Sequence, residues 1–172
     1  MAVYFRVSLT RHHVRQVQLV ELAQRVLSAV GEAKSDLSLD LIGDWRMQRL
    51  NRDYRNRDRT TDVLAFPIRE ANMPKKLSCR TSLLGDVVIS LPTAIRQARA
   101  VGRSIDEELA ILLVHGVLHL CGYDHERNGR EAARMSRREQ VVLRRISPIP
   151  HVVTLRARQR IKGGWPWVGS SD

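Results

Sequence analysis

The chain has few cysteines and no long apolar run, and each shortage argues against a class of protein. Its two cysteines, Cys79 and Cys121, form no C-x-x-C pair, so a disulfide-stapled secreted domain is disfavoured. The apolar runs are far shorter than the ~20 residues that span a bilayer. The first residues also lack the charged and apolar regions of a signal peptide. We therefore expect a cytoplasmic protein with no membrane partner.

Acidic residues are also scarce relative to basic ones. The chain carries 18 Asp and Glu against 29 Lys and Arg, a formal net charge of +11. Such a charge favours a polyanionic partner through phosphate contacts and counterion release, although it does not separate RNA from DNA. With 172 residues, 43% of them hydrophobic, the chain is large enough to bury the core of one domain.

A buried helix is predicted just before the most informative stretch of the chain. Ser104 and Glu107 have the spacing of a capping box at its start, and apolar residues follow almost unbroken to Leu120. A helix that is apolar nearly all round is a buried one. Gly122 ends it, because glycine readily takes the left-handed conformation that turns the chain back.

Three of the six histidines lie within eleven residues at the end of this helix. His115 and His119 are four residues apart and share one helix face, and the turn at Gly122 brings His125 to the same point. The sequence therefore predicts one Zn²⁺ ion held by His115, His119 and His125. Three protein ligands leave one position of a tetrahedral zinc for water or substrate, as in catalytic sites. Asp124 is a candidate for orienting one of the imidazoles.

The spacing of the histidines allows two other interpretations. Core histidines bonded to backbone carbonyls are common, but three at ligand spacing around a glycine favour metal. The H-x-x-x-H-x-x-G-x-x-H spacing is also that of metzincin proteases, whose first histidine is followed by a catalytic glutamate. Gly116 stands there in this chain, and a glycine takes no proton. A zinc metalloprotease is therefore the second choice, and we expect no peptide substrate.

Arginines alternate with an aromatic residue in a segment that we predict to be a loop from Asn51 to Asp62. Guanidinium groups match phosphate geometry and an aromatic ring can stack a base, so the composition suits single-stranded RNA. The alternative is a solvated loop whose arginines pair with its own aspartates. The candidate RNA contacts are Arg52, Tyr54, Arg55, Arg57 and Arg59.

The periodicity predicts a single α+β domain, with about five helices packed on a mixed sheet of about four strands and the metal site at the end of the histidine helix. We place this domain at residues 1–146 and a basic, Trp-containing C-terminal tail at residues 147–172. The predicted strands are 3–9, 37–41, 63–67 and 83–90, and the predicted helices are 14–30, 44–51, 92–102, 104–120 and 132–146.

Three motifs together resemble the YbeY family of bacterial rRNA-processing endoribonucleases. They are the segments Leu50–Arg55 with Thr61–Pro67, Leu84–Ile89, and His115–Glu126, and the likeness covers roughly residues 36–146. One departure is Ala65, where the family usually has serine. The other is the C-terminal extension.

The resemblance implies a metal-dependent, single-strand-specific endoribonuclease in maturation of the 16S rRNA 3′ end and in ribosome quality control. It implies His115, His119 and His125 as zinc ligands, with His115 and Arg55 serving catalysis and Arg55 contacting RNA phosphate. It further implies the small ribosomal subunit, a small-subunit ribosomal protein and an Era-type GTPase as partners. A non-enzymatic ribosome-binding module with structural zinc remains an alternative.

Overall fold

The computed structural model describes residues 1–8, 12–68, 82–125 and 128–155. Within these ranges the chain forms five α-helices, a four-stranded mixed sheet and a separate two-stranded sheet. The elements in chain order are β1 (Val3–Val7), β2 (His12–Val14), α1 (Gln16–Val30), β3 (Asp36–Ile42), α2 (Asp44–Arg55), β4 (Val63–Pro67), β5 (Leu83–Ser90), α3 (Leu91–Ala100), α4 (Ile105–Leu120), α5 (Gly129–Ile146) and β6 (Val153–Leu155).

The larger sheet has the order β1-β3-β5-β4, with β1, β3 and β5 parallel and β4 antiparallel at one edge. Alternate residues Leu37, Leu39 and Leu41 of β3 are fully buried in the main core with residues of α1, α4 and α5. This alternation is the mark of a strand with one face towards a core. The predicted α+β fold with five helices on a mixed sheet is confirmed.

Helix α2 packs on the other face of the sheet. Its Met47 joins Ile42, Leu64 and Val88 in a second, smaller cluster. Val88 follows Val87, which belongs to the main core, and successive strand residues point to opposite faces. Helices α4 and α2 therefore lie on opposite sides of the sheet.

Helix α4 begins at the predicted capping box. The Ser104 hydroxyl accepts from the Glu107 backbone N–H, and the Glu107 carboxylate accepts from the Ser104 backbone N–H. Its apolar residues are buried nearly all round. The chain turns after the helix at Gly122, whose φ is 87°, as the glycine predicts.

Helix α2 is longer than the sequence pattern predicts. It runs to Arg55 rather than Asn51, and Asn56 ends it with a φ of 54°. The first half of the predicted arginine loop is therefore helical. The pattern was missed because polar residues replace an apolar stripe on the last turn, where the buried face is provided by the amide of Asn51.

The segment after α5 packs against the start of α4. The carboxylate of Asp106 is 7% exposed and accepts from the backbone N–H groups of Val152 and Val153, at 2.9 and 2.8 Å. Strand β6 then pairs antiparallel with β2. The predicted tail 147–172 is thus described as far as Leu155, whereas residues 156–172, and Glu126 of the predicted motif, lie outside the described residues. The domain boundary at residue 146 stays a prediction.

No helix in the described part of the chain combines the length and apolarity that crossing a membrane requires.

Candidate metal centre and nucleic-acid cleft

The histidines predicted as ligands lie together at the end of α4. One ring nitrogen from each of His115, His119 and His125 lies within 4.8 Å of the others, and their ring centroids are 4.7 to 5.1 Å apart. The Nε2 atoms of His115 and His119 are 3.1 Å apart. Two nitrogens about 2.0–2.1 Å from one tetrahedral ion would be roughly 3.3–3.4 Å apart. The donor set therefore fits one zinc-sized ion.

The outer nitrogens of two of these rings have protein partners. His115 Nδ1 lies 2.6 Å from Glu139 Oε1 on α5, so the ring donates to a carboxylate and its Nε2 lone pair is left for a ligand bond. His119 is hydrogen-bonded to the backbone of Tyr123. Sequence reasoning did not single out Glu139. The available signal was its place on α5, one helical turn after Met135, which is buried.

The electrostatics of the cluster favour neutral imidazole at His119. Burial lowers its pKa below the ordinary value, and the nearby His115, His125 and Arg55 lower it further, whereas the bond to the Tyr123 backbone opposes the shift. A neutral ring offers a lone pair to a cation. His119 is therefore prepared to bind a metal ion without first losing a proton at neutral pH.

The histidines form one wall of a cleft of about 320 Å³. Arg55 enters it from the last turn of α2, and Arg57 and Arg59 follow in the connection to β4. Strand β4 contributes its first residues, including Ala65. Among the described residues lining this cleft, these arginines face one carboxylate, Asp62. A ligand with anionic oxygens therefore meets positive charge beside the histidines.

Buried and polar side chains of α2 hold the arginine-bearing connection. The Asn51 side chain, 4% exposed, donates to the Arg59 carbonyl at 2.8 Å. One turn earlier, Gln48 donates to Asp58 at 3.0 Å. Asn51 stood at the start of the predicted loop, but its polar type gave no indication that it would be buried. Its amide fixes the cleft wall that carries Arg57 and Arg59.

Asp62 is held by donors on each side. Its Oδ1 accepts from the Val63 N–H at 2.8 Å and from the Thr61 hydroxyl at 3.1 Å, and its Oδ2 accepts from the Gln97 amide at 3.0 Å. Burial raises the pKa of Asp62, but the hydrogen bonds from Gln97 and Val63 outweigh it, so the pKa lies below the ordinary value. This carboxylate therefore stays charged and anchors the wall of the cleft.

Gly116, the residue that replaces the metzincin glutamate, packs directly on the sheet. A Cβ built there would lie 2.8 Å from Val87 Cγ1 and 3.3 Å from Val63 Cγ2. Both are branched side chains with little freedom to move aside, and Val87 is fully buried. The close approach of α4 to the sheet therefore leaves no room at this position for a longer side chain.

The predicted RNA contacts separate into two groups. Arg55, Arg57 and Arg59 line the cleft. Tyr54 instead packs edge-on against Phe66, with ring centroids 5.0 Å apart, in a depression on the α2 side of the sheet. Arg52 points outward and pairs with the adjacent Asp53 at 3.2 Å, in part the pairing that the solvated-loop alternative predicts. Neither Arg52 nor Tyr54 is among the described residues that line the cleft.

Fold and site define a small α+β protein with three histidines clustered at ligand spacing and a basic cleft, a combination suited to hydrolysis of an anionic substrate. The model of one family, described as endoribonuclease YbeY, matches residues 6–147. The chain belongs to this family, and the prediction from the motifs is confirmed.

Curated relatives and a solved structure agree with the family. The chain is 42% identical over 141 residues to endoribonuclease YbeY of Aquifex aeolicus, covering 82% of this chain and 90% of the relative. It is 41% identical over 133 residues to endoribonuclease YbeY of Geobacter metallireducens, covering 77% and 87%. The solution structure of TM1509 from Thermotoga maritima matches with a TM-score of 0.58 and 22% identity, over 84% and 88% of the two chains. That last likeness concerns the fold alone.

Proposed function

We propose that this chain is a metal-dependent endoribonuclease that cuts single-stranded RNA in maturation of the 16S rRNA 3′ end and in ribosome quality control. The observation that carries the proposal is the convergence of three imidazole nitrogens beside Arg55, Arg57 and Arg59 in one cleft. Family membership supports the nuclease activity, since the relatives are named endoribonucleases. The protein is accordingly a hydrolase.

His115, His119 and His125 are the residues proposed to hold the metal, for which Zn²⁺ suits an all-imidazole site with an open position. When bound, the ion supplies a water of lowered pKa and a positive charge beside the substrate. Glu139 keeps the His115 ring turned with Nε2 inward. The buried last turn of α4 holds the His119 ring beside that of His115.

Arg55, Arg57 and Arg59 are proposed to bind the phosphates on either side of the cleaved bond. Guanidinium groups place two donors against phosphate oxygens and remain charged at all working pH values. Arg55 projects from the end of α2 close enough to affect His119 electrostatically. It therefore holds the phosphate next to the ligands, and it stabilises negative charge that develops there during cleavage.

We further propose that the protein acts in the cytoplasm with the small ribosomal subunit, and with a small-subunit ribosomal protein and an Era-type GTPase as protein partners. The net charge of +11 supports a ribosomal environment, because polyanionic surfaces attract such a protein at long range. Residues 1–146 are proposed as the endoribonuclease domain, with residues 147–172 as a basic addition.

The test is cleavage of an end-labelled small-subunit rRNA precursor by the metal-loaded protein. A folded His115→Ala variant, purified in the same way, controls for contaminating nucleases. We expect cuts by the wild type that the variant does not make. Equal cutting by both proteins, or none by either when small subunits are added, would replace the enzyme with a ribosome-binding module.

A further inference from the structure

The outward face of α2 carries an exposed aromatic residue followed by two arginines. Trp45 is 67% exposed, and the guanidinium carbon of Arg49 lies 4.8 Å from the centroid of its ring. Arg52 follows one turn later and is also exposed. Positions i, i+4 and i+7 fall on one face of a helix. We call Trp45, Arg49 and Arg52 the α2 stripe.

The α2 stripe is not part of the packing that holds the helix. Helix α2 is held by Met47, which is 0% exposed and packs on the sheet, and by Asn51, which is 4% exposed and donates to the Arg59 carbonyl. These residues lie on the side of the helix opposite to Arg49 in the helical repeat. Among the described residues, the indole of Trp45 belongs to neither hydrophobic cluster, and it is left largely in solvent against the Arg49 guanidinium.

The α2 stripe leads into the cleft. Arg55, which lines the cleft, lies three residues beyond Arg52 and thus about one turn along the helix. From Trp45 to Arg55 the axis rises about 15 Å, roughly the length of four nucleotides stacked at ~3.4 Å each. The α2 stripe therefore runs along the helix towards the cleft, and its Arg52 is paired with the neighbouring Asp53.

We propose that the α2 stripe binds the single-stranded RNA that flanks the cleaved bond, with one base stacked on Trp45 and the adjacent phosphates bound by Arg49 and Arg52. This inference rests on the proposed function and extends its substrate site. Planar rings interleaved with guanidinium groups are the means by which proteins bind single strands without base-specific contacts. Double-stranded RNA offers no exposed base face, so the α2 stripe selects for single strands.

The test compares binding of two single-stranded 2′-O-methyl oligoribonucleotides to the metal-loaded full chain, with a gel run after binding to show that they are intact. One is a 12-mer, and the other is a 2-mer too short to reach from the cleft to Trp45. Trp45→Ala should weaken binding of the 12-mer roughly 5- to 150-fold, the range found for removal of one stacked base contact. Binding of the 2-mer should not change. Trp45→Phe should restore most of the affinity, because a smaller ring still stacks.

Two further variants separate the α2 stripe from general effects. Tyr4→Ala removes another exposed aromatic residue, 60% exposed on β1, and should leave both affinities unchanged. Arg52→Ala should weaken the 12-mer and reduce the slope of log Kd against log salt by about 1. Thermal unfolding curves that match the wild type show that the variants are folded.

Unchanged 12-mer binding by Trp45→Ala overturns the inference. Competition with poly-glutamate is a second way to overturn it. If poly-glutamate displaces the 12-mer as strongly as RNA does, and if this displacement depends on Trp45, then the α2 stripe is a site for an acidic protein. If the wild type cleaves long substrates and Trp45→Ala cleaves them equally well, this inference is wrong and the proposed function still stands. Trp45-dependent binding of the 12-mer by a metal-loaded wild type that does not cut the rRNA precursor supports the α2 stripe and counts against the proposed enzyme.

Discussion

Helices α4 and α2 both end at the cleft, but they are held there by different means. Helix α4 is buried nearly all round between the sheet and its neighbouring helices, and it carries His115 and His119. Helix α2 touches the sheet along a narrow strip around Met47 and Leu50, and most of its other residues face solvent. A metal ion needs ligands placed within tenths of an ångström, whereas phosphate contacts tolerate movement.

The α4 half of the site, which carries the histidines, and the α2 half, which carries the arginines, are therefore under different constraints. On α4, changes act through packing and ring orientation, and small changes have large effects. On α2, changes act through charge and exposed area, and under the proposed function they should alter RNA affinity while the fold is maintained.

Loss of one ligand should have the largest effect. His119→Ala is expected to reduce zinc affinity and RNA cleavage more than ~100-fold. This loss exceeds the range typical of residues that only hydrogen-bond to a metal ligand. Zinc content after dialysis and precursor cleavage are the two measurements. Arg55→Ala, on the other side of the cleft, should keep its zinc while losing cleavage. A zinc-loaded, active His119→Ala protein would show that this ring is not a ligand.

Removal of the carboxylate behind His115 comes next. Glu139→Gln should weaken zinc binding about 10-fold and Glu139→Ala up to about 100-fold, because the ring loses the partner that fixes its tautomer and orientation. Competition with a chromogenic chelator measures the affinity. Glu131→Gln, the same change in the first turn of α5, is the matched control. Equal zinc affinity in the Glu139 and Glu131 variants would contradict the role of this contact.

A methyl group at Gly116 should test how closely α4 must approach the sheet. Gly116→Ala is expected to lower the free energy of unfolding by about 1–3 kcal/mol, because the new Cβ overlaps Val87. Urea unfolding of the metal-free protein measures it. Gly129→Ala is the control, since nothing lies within 4 Å of a Cβ at that position, and helix propensity should there stabilise slightly. Two variants of equal stability would mean that the sheet yields easily at Val87.

The smallest effect concerns Asp62 and pH. Its pKa is lower in the folded protein than in the unfolded chain, so its stabilisation is complete above the unfolded value of ~3.9 and is lost as pH falls through the folded pKa. Between pH 6 and pH 3, the urea midpoint of the wild type should therefore fall more than that of Asp62→Asn. Parallel losses in the two proteins would show that the hydrogen bonds at Asp62 do not favour its charged form.

Local patterns predicted the α4 half of the site well. The capping box at Ser104, the i,i+4 histidines and the turn at Gly122 depend on helical geometry over a few residues, and the structure has all of these features. The alternating strands were placed for the same reason. The family was recognised because its motifs are continuous segments of this kind, and the family model bears that out.

The α2 half was predicted less well because its features depend on distant contacts. A polar last turn concealed the extension of α2 to Arg55, and Tyr54 faces Phe66, twelve residues further along the chain. Strands β2 and β6, which pair across the length of the chain, gave no pattern long enough to detect. Short strands of this kind are defined by their partner and not by their own residues.

Composition and spacing along a few helical turns are enough to predict the clustering of the three histidines, the turn at Gly122, the α+β class and the family, and they give the basic charge directly. Only the tertiary structure decided that Glu139, 24 residues from His115, completes that ring's hydrogen bonding. Packing also places some arginines of α2 and of the connection to β4 in the cleft and others on the α2 stripe. Those outcomes depend on how helices pack against a sheet, and packing brings together residues whose separation in the chain carries no pattern.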